Sequence, residues 1–198
     1  NYSFTSLNNT NIATAVNNWL GTQDQAFEAL KTYGPINEWN VSAVTDMSGL
    51  FSGKTTFNYD ISNWNVGNVT DMSDMFKGAT SFNQPLNNWN VGRVTNMTNM
   101  FYEATSFNQP LNNWNVGKVT NMQSMFRFCS VFNQNINSWD VSNVTNIAVM
   151  FSSCPAFNQP LDEWDVGNVT KMDHVFYMAT TFNQEIGNWD VSNALTIH

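Results

Sequence analysis

The chain has 198 residues, of which 42% are apolar and only 11% are charged, and its net charge is −8 at pH 7. This acidic balance argues against binding to nucleic acid or to an anionic lipid surface, because both need Lys and Arg. No apolar run approaches the ~20 residues of a membrane helix, so we expect no transmembrane segment. No signal peptide is visible at Asn1. The repeat described below stops part-way at His198, and we therefore expect a piece of a longer protein.

Residues 1–38 differ from the rest of the chain and predict two helices. The first extends from Thr10 to Leu20 and the second from Asp24 to Tyr33, with Thr10 and Asp24 as the residues that cap their starts. Three large side chains of the second helix are expected to point inward: Phe27, Leu30 and Tyr33. We predict that this segment covers the apolar end of the repeat array.

From residue 39 onward the sequence is one 25-residue unit written about six and a half times. Tryptophan recurs at one position without insertion or deletion, at Trp39, Trp64, Trp89, Trp114, Trp139, Trp164 and Trp189. Such a period indicates an array in which each unit contacts its neighbours in sequence. The predicted organisation is a helical cap at 1–38 and an array at 39–198. Residues 25 apart are called a column below.

Each unit predicts one short strand and one short helix. The segment 86–91 alternates, with Trp89 and Val91 on one side and Asn88 and Asn90 on the other. The segment 69–79 has apolar residues at helical spacing. Together they predict an α/β repeat solenoid, a leucine-rich-repeat-like right-handed coil of short parallel strands and short helices.

The repeat also resembles a known family. The string Trp64-Asn-Val-Gly-Asn-Val-Thr-Asp-Met-Ser-Asp-Met-Phe76, followed by Phe82-Asn-Gln84, is similar to the repeats of BspA-like leucine-rich-repeat surface proteins, which also occur in mycoplasma-type surface lipoproteins. The resemblance covers nearly the whole chain. It implies an extracellular or cell-surface protein, often an adhesin or binding module, and it supplies no catalytic residues.

Two polar columns accompany the apolar ones. Asn follows the core Phe in every unit, and Gln follows that Asn in five: Asn58, Asn83, Asn108, Asn133, Asn158 and Asn183, with Gln84, Gln109, Gln134, Gln159 and Gln184. We interpret them as an internal hydrogen-bond ladder, with a surface ligand row as the alternative. A Thr column is interpreted as helix caps, with an ice-binding row as the alternative: Thr45, Thr70, Thr95, Thr120, Thr145 and Thr170.

The candidate ligand-binding residues lie on the exposed side of the predicted strand, which would be the concave face of the coil. They are Asn65, Asn88, Asn90, Arg93, Asn113, Asn115, Lys118, Asp140, Asp165 and Asp190. In one of these columns Asn gives way to Asp from residue 140 onward. The carboxylates are interpreted as a solvated acidic strip, or alternatively as a weak Ca²⁺ site formed by Asp140, Glu163, Asp165 and Asp190. No cofactor is otherwise expected.

Two further features are open in the sequence. Cys129 and Cys154 share a column, where they either serve as small apolar residues or form a disulfide between adjacent units. Residues in the columns that vary most would cluster on the later units as a binding surface or as a contact for another region: Tyr102, Arg127, Phe128, Tyr177 and Met178.

The sequence contains no catalytic motif, and His174 and His198 are its two histidines, so we expect no enzyme activity. The predicted function is a secreted or cell-surface module for adhesion, which binds a host or matrix protein or a glycan. The alternatives are a structural stalk or spacer of a larger surface protein and, less favoured, an ice-binding solenoid.

Overall fold

The structure is a computed structural model in which residues 3–195 are described. It begins with helix α1, Ile12–Trp19, and helix α2, Gln23–Tyr33, which are followed by a 3₁₀ turn at Ile36–Glu38. Both predicted helices are confirmed. None of the helices in residues 3–195 has the length and apolar character needed to span a membrane.

The caps and inward faces of these helices differ from the prediction. α2 begins after Thr22, whose hydroxyl accepts a hydrogen bond from the Gln25 N–H while the Gln25 side chain accepts one from the Thr22 N–H. Neither Thr10 nor Asp24 is therefore an N-cap. Phe27 and Leu30 are 58% and 41% exposed, so the prediction that they face inward is wrong.

Helix α1 makes the apolar contact with the first repeat unit. Three of its side chains are buried in the common core: Ile12, Ala15 and Val16. At the end of this helix the Trp19 ring packs edge-on against the Trp39 ring, with 5.8 Å between their centroids. The core of residues 3–38 is thus continuous with that of the array.

The array is held together by backbone hydrogen bonds between successive units. The N–H groups of Met72, Asp74, Phe76 and Gly78 donate to carbonyls of the following unit, at Asn96, Thr98, Met100 and Tyr102, over 2.7–3.0 Å. The N–H groups of the intervening residues close turns within their own unit, as Met75 does with Met72. Every second N–H therefore joins neighbouring units, and a unit by itself would leave these groups unpaired.

The helix predicted over 69–79 is absent because two residues of each unit, four apart, are left-handed. The two columns begin at Gly49 and Gly53. In them nine non-glycine residues have φ between 53° and 62°: Asp74, Asn99, Glu103, Ser124, Phe128, Val149, Ser153, His174 and Met178. Gly49, Gly53 and Gly78 occupy the equivalent positions in earlier units. An α-helix needs right-handed dihedrals throughout, so these residues exclude it.

The predicted strand is also absent, since the segment 86–91 consists of a turn at residues 87–88 and irregular backbone. In residues 3–195 parallel pairing is confined to isolated bridges, which join Asp46 to Asp71 and continue through Asn96, Asn121 and Asn146 to Lys171. In the described part of the chain, helical residues make up 11% and bridge residues 3%, and no sheet is formed. The prediction of an α/β solenoid with leucine-rich-repeat-like strands and helices is wrong; the chain is a stack of 25-residue turn units.

The core of the stack consists of aromatic columns. Equivalent Phe rings of adjacent units lie 5.4–6.2 Å apart, as in Phe76–Phe101 and Phe107–Phe132, while the two Phe rings of one unit lie 4.0–4.2 Å apart. From Trp64 onward, each Trp indole N–H donates to the backbone carbonyl 28 residues earlier, as Trp114 does to Leu86 over 2.8 Å. These aromatic residues therefore have a structural role, and the candidate functional residues are those of the exposed columns.

Candidate functional site

The exposed Asn and Asp column forms a row of rigidly held side chains along the stack. We call it the polar strip: Asn65, Asn90, Asn115, Asp140, Asp165 and Asp190. In each member Oδ1 accepts the backbone N–H two residues further on, over 3.0–3.2 Å. These are Asx turns, which fix the side chain and leave its second polar atom, an amide nitrogen or a carboxylate oxygen, available.

Neighbouring members of the polar strip lie close together. A carbon at the Cβ position of Gly67 would be 3.2 Å from Asn65 Oδ1 and 3.5 Å from Asn90 Nδ2. At Gly117 the equivalent distances are 3.2 Å to Asn115 Oδ1 and 3.4 Å to Asp140 Oδ2. Consecutive units thus place the Asx-turn oxygen of one member near the free polar atom of the next, and the free atoms change from donors to acceptors between Asn115 and Asp140.

The other predicted binding residues flank the strip without forming a pocket. Asn88 and Asn113 are exposed two positions before it. Arg93 donates from Nη1 to Asn68 Oδ1 over 2.7 Å, whereas Lys118, in the same column, makes no hydrogen bond or ion pair with a described residue. In other units this column holds Asn, whose side-chain amide donates to a backbone carbonyl of the preceding unit, as Asn143 does to Gly117 over 2.7 Å.

The acidic end of the strip shows no metal-binding geometry. Among residues 3–195, no group of three His, Cys, Asp or Glu side chains is placed to hold a metal ion, so Asp140, Glu163, Asp165 and Asp190 do not form the suggested Ca²⁺ site. Hydrogen bonds from the Ser142 hydroxyl and N–H lower the pKa of Asp140, and those from Ser192 lower the pKa of Asp190. Both carboxylates therefore remain ionised at neutral pH, exposed to solvent.

The Asp140 bonds predict a small dependence of stability on acid. Because the folded-state pKa lies below the ordinary value of 3.8, ionised Asp140 stabilises the fold above about pH 4, and this stabilisation is lost as the pH falls through the folded-state pKa. Asp140→Asn retains the Oδ1 acceptor, as Asn40 does towards Ser42. The variant should lose less stability than the native protein between about pH 6 and about pH 3 in urea unfolding.

The matched control for this measurement is Asp165→Asn, because Gly167 follows at the position of Ser142 and offers no hydroxyl. It should change the pH response less than Asp140→Asn does. Equal responses of the two variants would show that the serine bonds are not responsible.

The Asn and Gln columns are half-buried along most of the array, and their hydrogen bonds confirm the interpretation as a ladder. Asn108 Oδ1 accepts from the backbone N–H of Asn133 and from Gln134 Nε2, each over 3.0 Å. The same pattern joins the other units, from Asn58 to Gln184. Their side chains hold neighbouring units together, so these columns are not the candidate ligand site.

The Thr column has a similar role, and its interpretation as helix caps is wrong. Thr95 donates from both its N–H and its hydroxyl to the Thr70 carbonyl, over 2.9 and 3.3 Å, and the other units repeat this arrangement. Since the hydroxyl hydrogens are used within the ladder, the column does not present a row of free donors to water or ice.

The two cysteines are free, buried thiols. Each Sγ donates to a backbone carbonyl 28 residues earlier, Cys129 to Phe101 over 2.9 Å and Cys154 to Phe126 over 2.7 Å. Burial raises the pKa of Cys154 to about 12 and that of Cys129 well above its ordinary value. The structure therefore has the cysteines as small core residues rather than as a disulfide or a reactive pair.

Two cavities of the stack are lined by residues outside the polar strip. An apolar cavity of about 710 Å³ at the last complete unit is lined by Phe176, Ile186 and Trp189 among others. A polar groove of about 370 Å³ lies between α1 and the first unit, around Asn17 and Ser48. A ligand of the strip would therefore bind on an open surface.

One comparison with known proteins identifies a matching family. A family model described as "Mycoplasma protein of unknown function, DUF285" matches residues 22–129 and again residues 111–198. No curated protein and no solved structure matches the chain.

Proposed function

We propose that this chain, which belongs to the DUF285 family of Mycoplasma proteins, is a non-catalytic binding module displayed at the cell surface. It recognises an extended protein segment or a glycan along the polar strip. The observation that carries this proposal is the strip itself: six exposed side chains, one per unit, are each fixed by an Asx turn and each keep one polar atom free.

A row of fixed polar groups suits a long ligand with its own repeating hydrogen-bonding groups. Because each side chain is already held by its backbone bond, little rotamer freedom is lost when a ligand binds. The succession of amide donors and then carboxylate acceptors gives the row a direction, so that a ligand is bound in one orientation. The sequence resemblance to BspA-like surface proteins supports display outside the cell; it is a likeness of the repeat string, without the leucine-rich-repeat fold.

The experiment uses two variants of the strip, in which either its amides become carboxylates or its carboxylates become amides, with little change in side-chain shape. One variant carries Asn65→Asp, Asn90→Asp and Asn115→Asp; the other carries Asp140→Asn, Asp165→Asn and Asp190→Asn. Both residue types occupy this column and both supply the Oδ1 acceptor, so we expect both variants to fold. On an array of glycans and extracellular-matrix proteins, at least one exchange should weaken the native binding roughly tenfold or more.

The control variant carries Asp24→Asn and Glu28→Gln on α2, which changes the net charge away from the strip. It should bind as the native protein does. Absence of any ligand on the array, or binding that neither exchange alters, would contradict the proposal and favour the alternative function of a stalk or spacer.

A further inference from the structure

A second, half-buried feature lies on the turn side of the array, where three successive units bring cations and aromatic rings into contact. We call it the cation–aromatic cluster: Lys77, Tyr102, Arg127 and Phe128. Lys77 Nζ lies 5.6 Å from the centre of the Tyr102 ring, and the Arg127 guanidinium carbon lies 5.9 Å from the same ring and 4.9 Å from the Phe128 ring. The two rings meet edge to face at 5.6 Å.

Arg127 is fixed in this cluster without a counter-charge. Among residues 3–195 no carboxylate lies at ion-pair distance from its guanidinium, and its Nε–H is enclosed without a hydrogen-bond partner. Lys77, by contrast, pairs with Asp74 over 3.5 Å at the surface. In a protein of net charge −8, a stacked and unpaired Arg is a local site for an anionic group.

Phe128 holds a left-handed position of its unit, as Glu103, Ser153 and Met178 do in other units. Its φ of 62° is left-handed, an unfavourable conformation for a large side chain, and the same column holds Gly53 and Gly78 in earlier units. The aromatic ring is thus present where the backbone favours glycine. Three residues further along the chain, the Val131 side chain is 43% exposed.

We propose that the cation–aromatic cluster anchors a protein partner through an Asp or Glu side chain flanked by apolar residues. The guanidinium would bind the carboxylate through its free N–H groups, while Phe128 and Val131 contact the flanking side chains. A glycan fits less well, because Lys77 of the preceding unit and Arg127 of the following unit both approach the Tyr102 ring, on which a sugar would otherwise stack.

The inference rests on the proposed function in taking the chain to be a binding module, but its residues are distinct from those of the polar strip. Each proposal can therefore be contradicted without the other. The exchanges in the polar strip leave the cation–aromatic cluster intact, and the variants below leave the strip intact.

The test uses a fluorescent peptide of alternating Glu and Leu, the same peptide with Gln for Glu, and polygalacturonate as an acidic glycan. The native protein should bind the Glu peptide more tightly than the Gln peptide in anisotropy titrations at low salt. Arg127→Gln should weaken that binding about tenfold, whereas Lys171→Gln, an equal change of charge at an exposed side chain that makes no hydrogen bond or ion pair with a described residue, should weaken it less than about twofold. Equal effects of the two variants, no binding of the Glu peptide, or binding of polygalacturonate in its place would overturn the proposal.

Phe128→Gly separates recognition from folding. Glycine fits the left-handed position, so the melting temperature should stay level or rise, while affinity for the Glu peptide falls because the ring no longer holds Arg127. A variant that keeps the native affinity, or that loses affinity only together with thermal stability, would mean that Phe128 has no part in binding.

Discussion

Replacing Trp114 with alanine should lower the free energy of unfolding by about 4 kcal/mol, the larger of the two strongest effects that the structure predicts. The Trp114 side chain is 3% exposed, and its ring stacks on that of Trp139 with 6.2 Å between centroids. Its indole N–H donates to the Leu86 carbonyl of the preceding unit over 2.8 Å. Alanine would leave a large cavity and remove this buried hydrogen bond, and urea unfolding monitored by circular dichroism would measure the loss.

Trp189 is the matched control because it makes the same hydrogen bond, to Leu161 over 2.9 Å, but is only half-buried. Trp189→Ala should cost roughly half as much as Trp114→Ala, because less apolar surface is returned to water. Equal costs at the two positions would mean that contact with units on both sides does not determine the effect.

The sequence predicts which residues are buried better than it predicts how the backbone is bonded. Val69, Met72 and Phe76 are fully buried, as their spacing indicated, yet the segment is not a helix. Helical spacing reports which side chains share a face. Every second backbone N–H of this segment donates to a residue about 25 positions away, and no local pattern of the sequence shows where these bonds go.

The left-handed positions also explain why the predicted helix is absent. Val149 occupies one of them in a later unit, and a β-branched residue does not signal such a conformation. The available signal was Gly49 at the equivalent position of the first unit, together with Gly53 and Gly78 in the column four residues on. A glycine in a column implies a backbone conformation that the whole column shares, and comparison between units would have favoured turns over a helix.

At the candidate site, the sequence predicts columns but not the bonds within them. The polar strip is exposed along the array, as the alternation around Trp89 indicated. Its Asx turns were missed, although an Asn or Asp followed two residues later by Gly or Ser, as in Asn90 and Gly92, is a recognisable signal. The contact of Tyr102 with Arg127 and Phe128 follows from stacking columns, whereas Tyr177 lies two units beyond Arg127 and is not part of that cluster.

Asn108→Ala is expected to cost about 2 kcal/mol, the second large effect. The Asn108 side chain accepts two hydrogen bonds through Oδ1, from the Asn133 N–H and from Gln134 Nε2. Gln134 also donates to the Asn108 backbone carbonyl over 3.1 Å and retains that partner in the variant, but the partly buried Asn133 N–H is left without one. The free energy of unfolding from urea titration would measure this loss.

Two control variants distinguish the acceptor from the rest of the side chain. Asn183→Ala should cost little, because Asn183 Oδ1 accepts no hydrogen bond from a described residue, although its own N–H donates to Asn158. Asn108→Asp keeps the acceptor and should lie close to the native stability, since no described residue accepts a bond from the Asn108 amide nitrogen. A loss as large in Asn108→Asp as in Asn108→Ala would contradict the ladder as the reason for this column, and would assign the effect to the neutral amide itself.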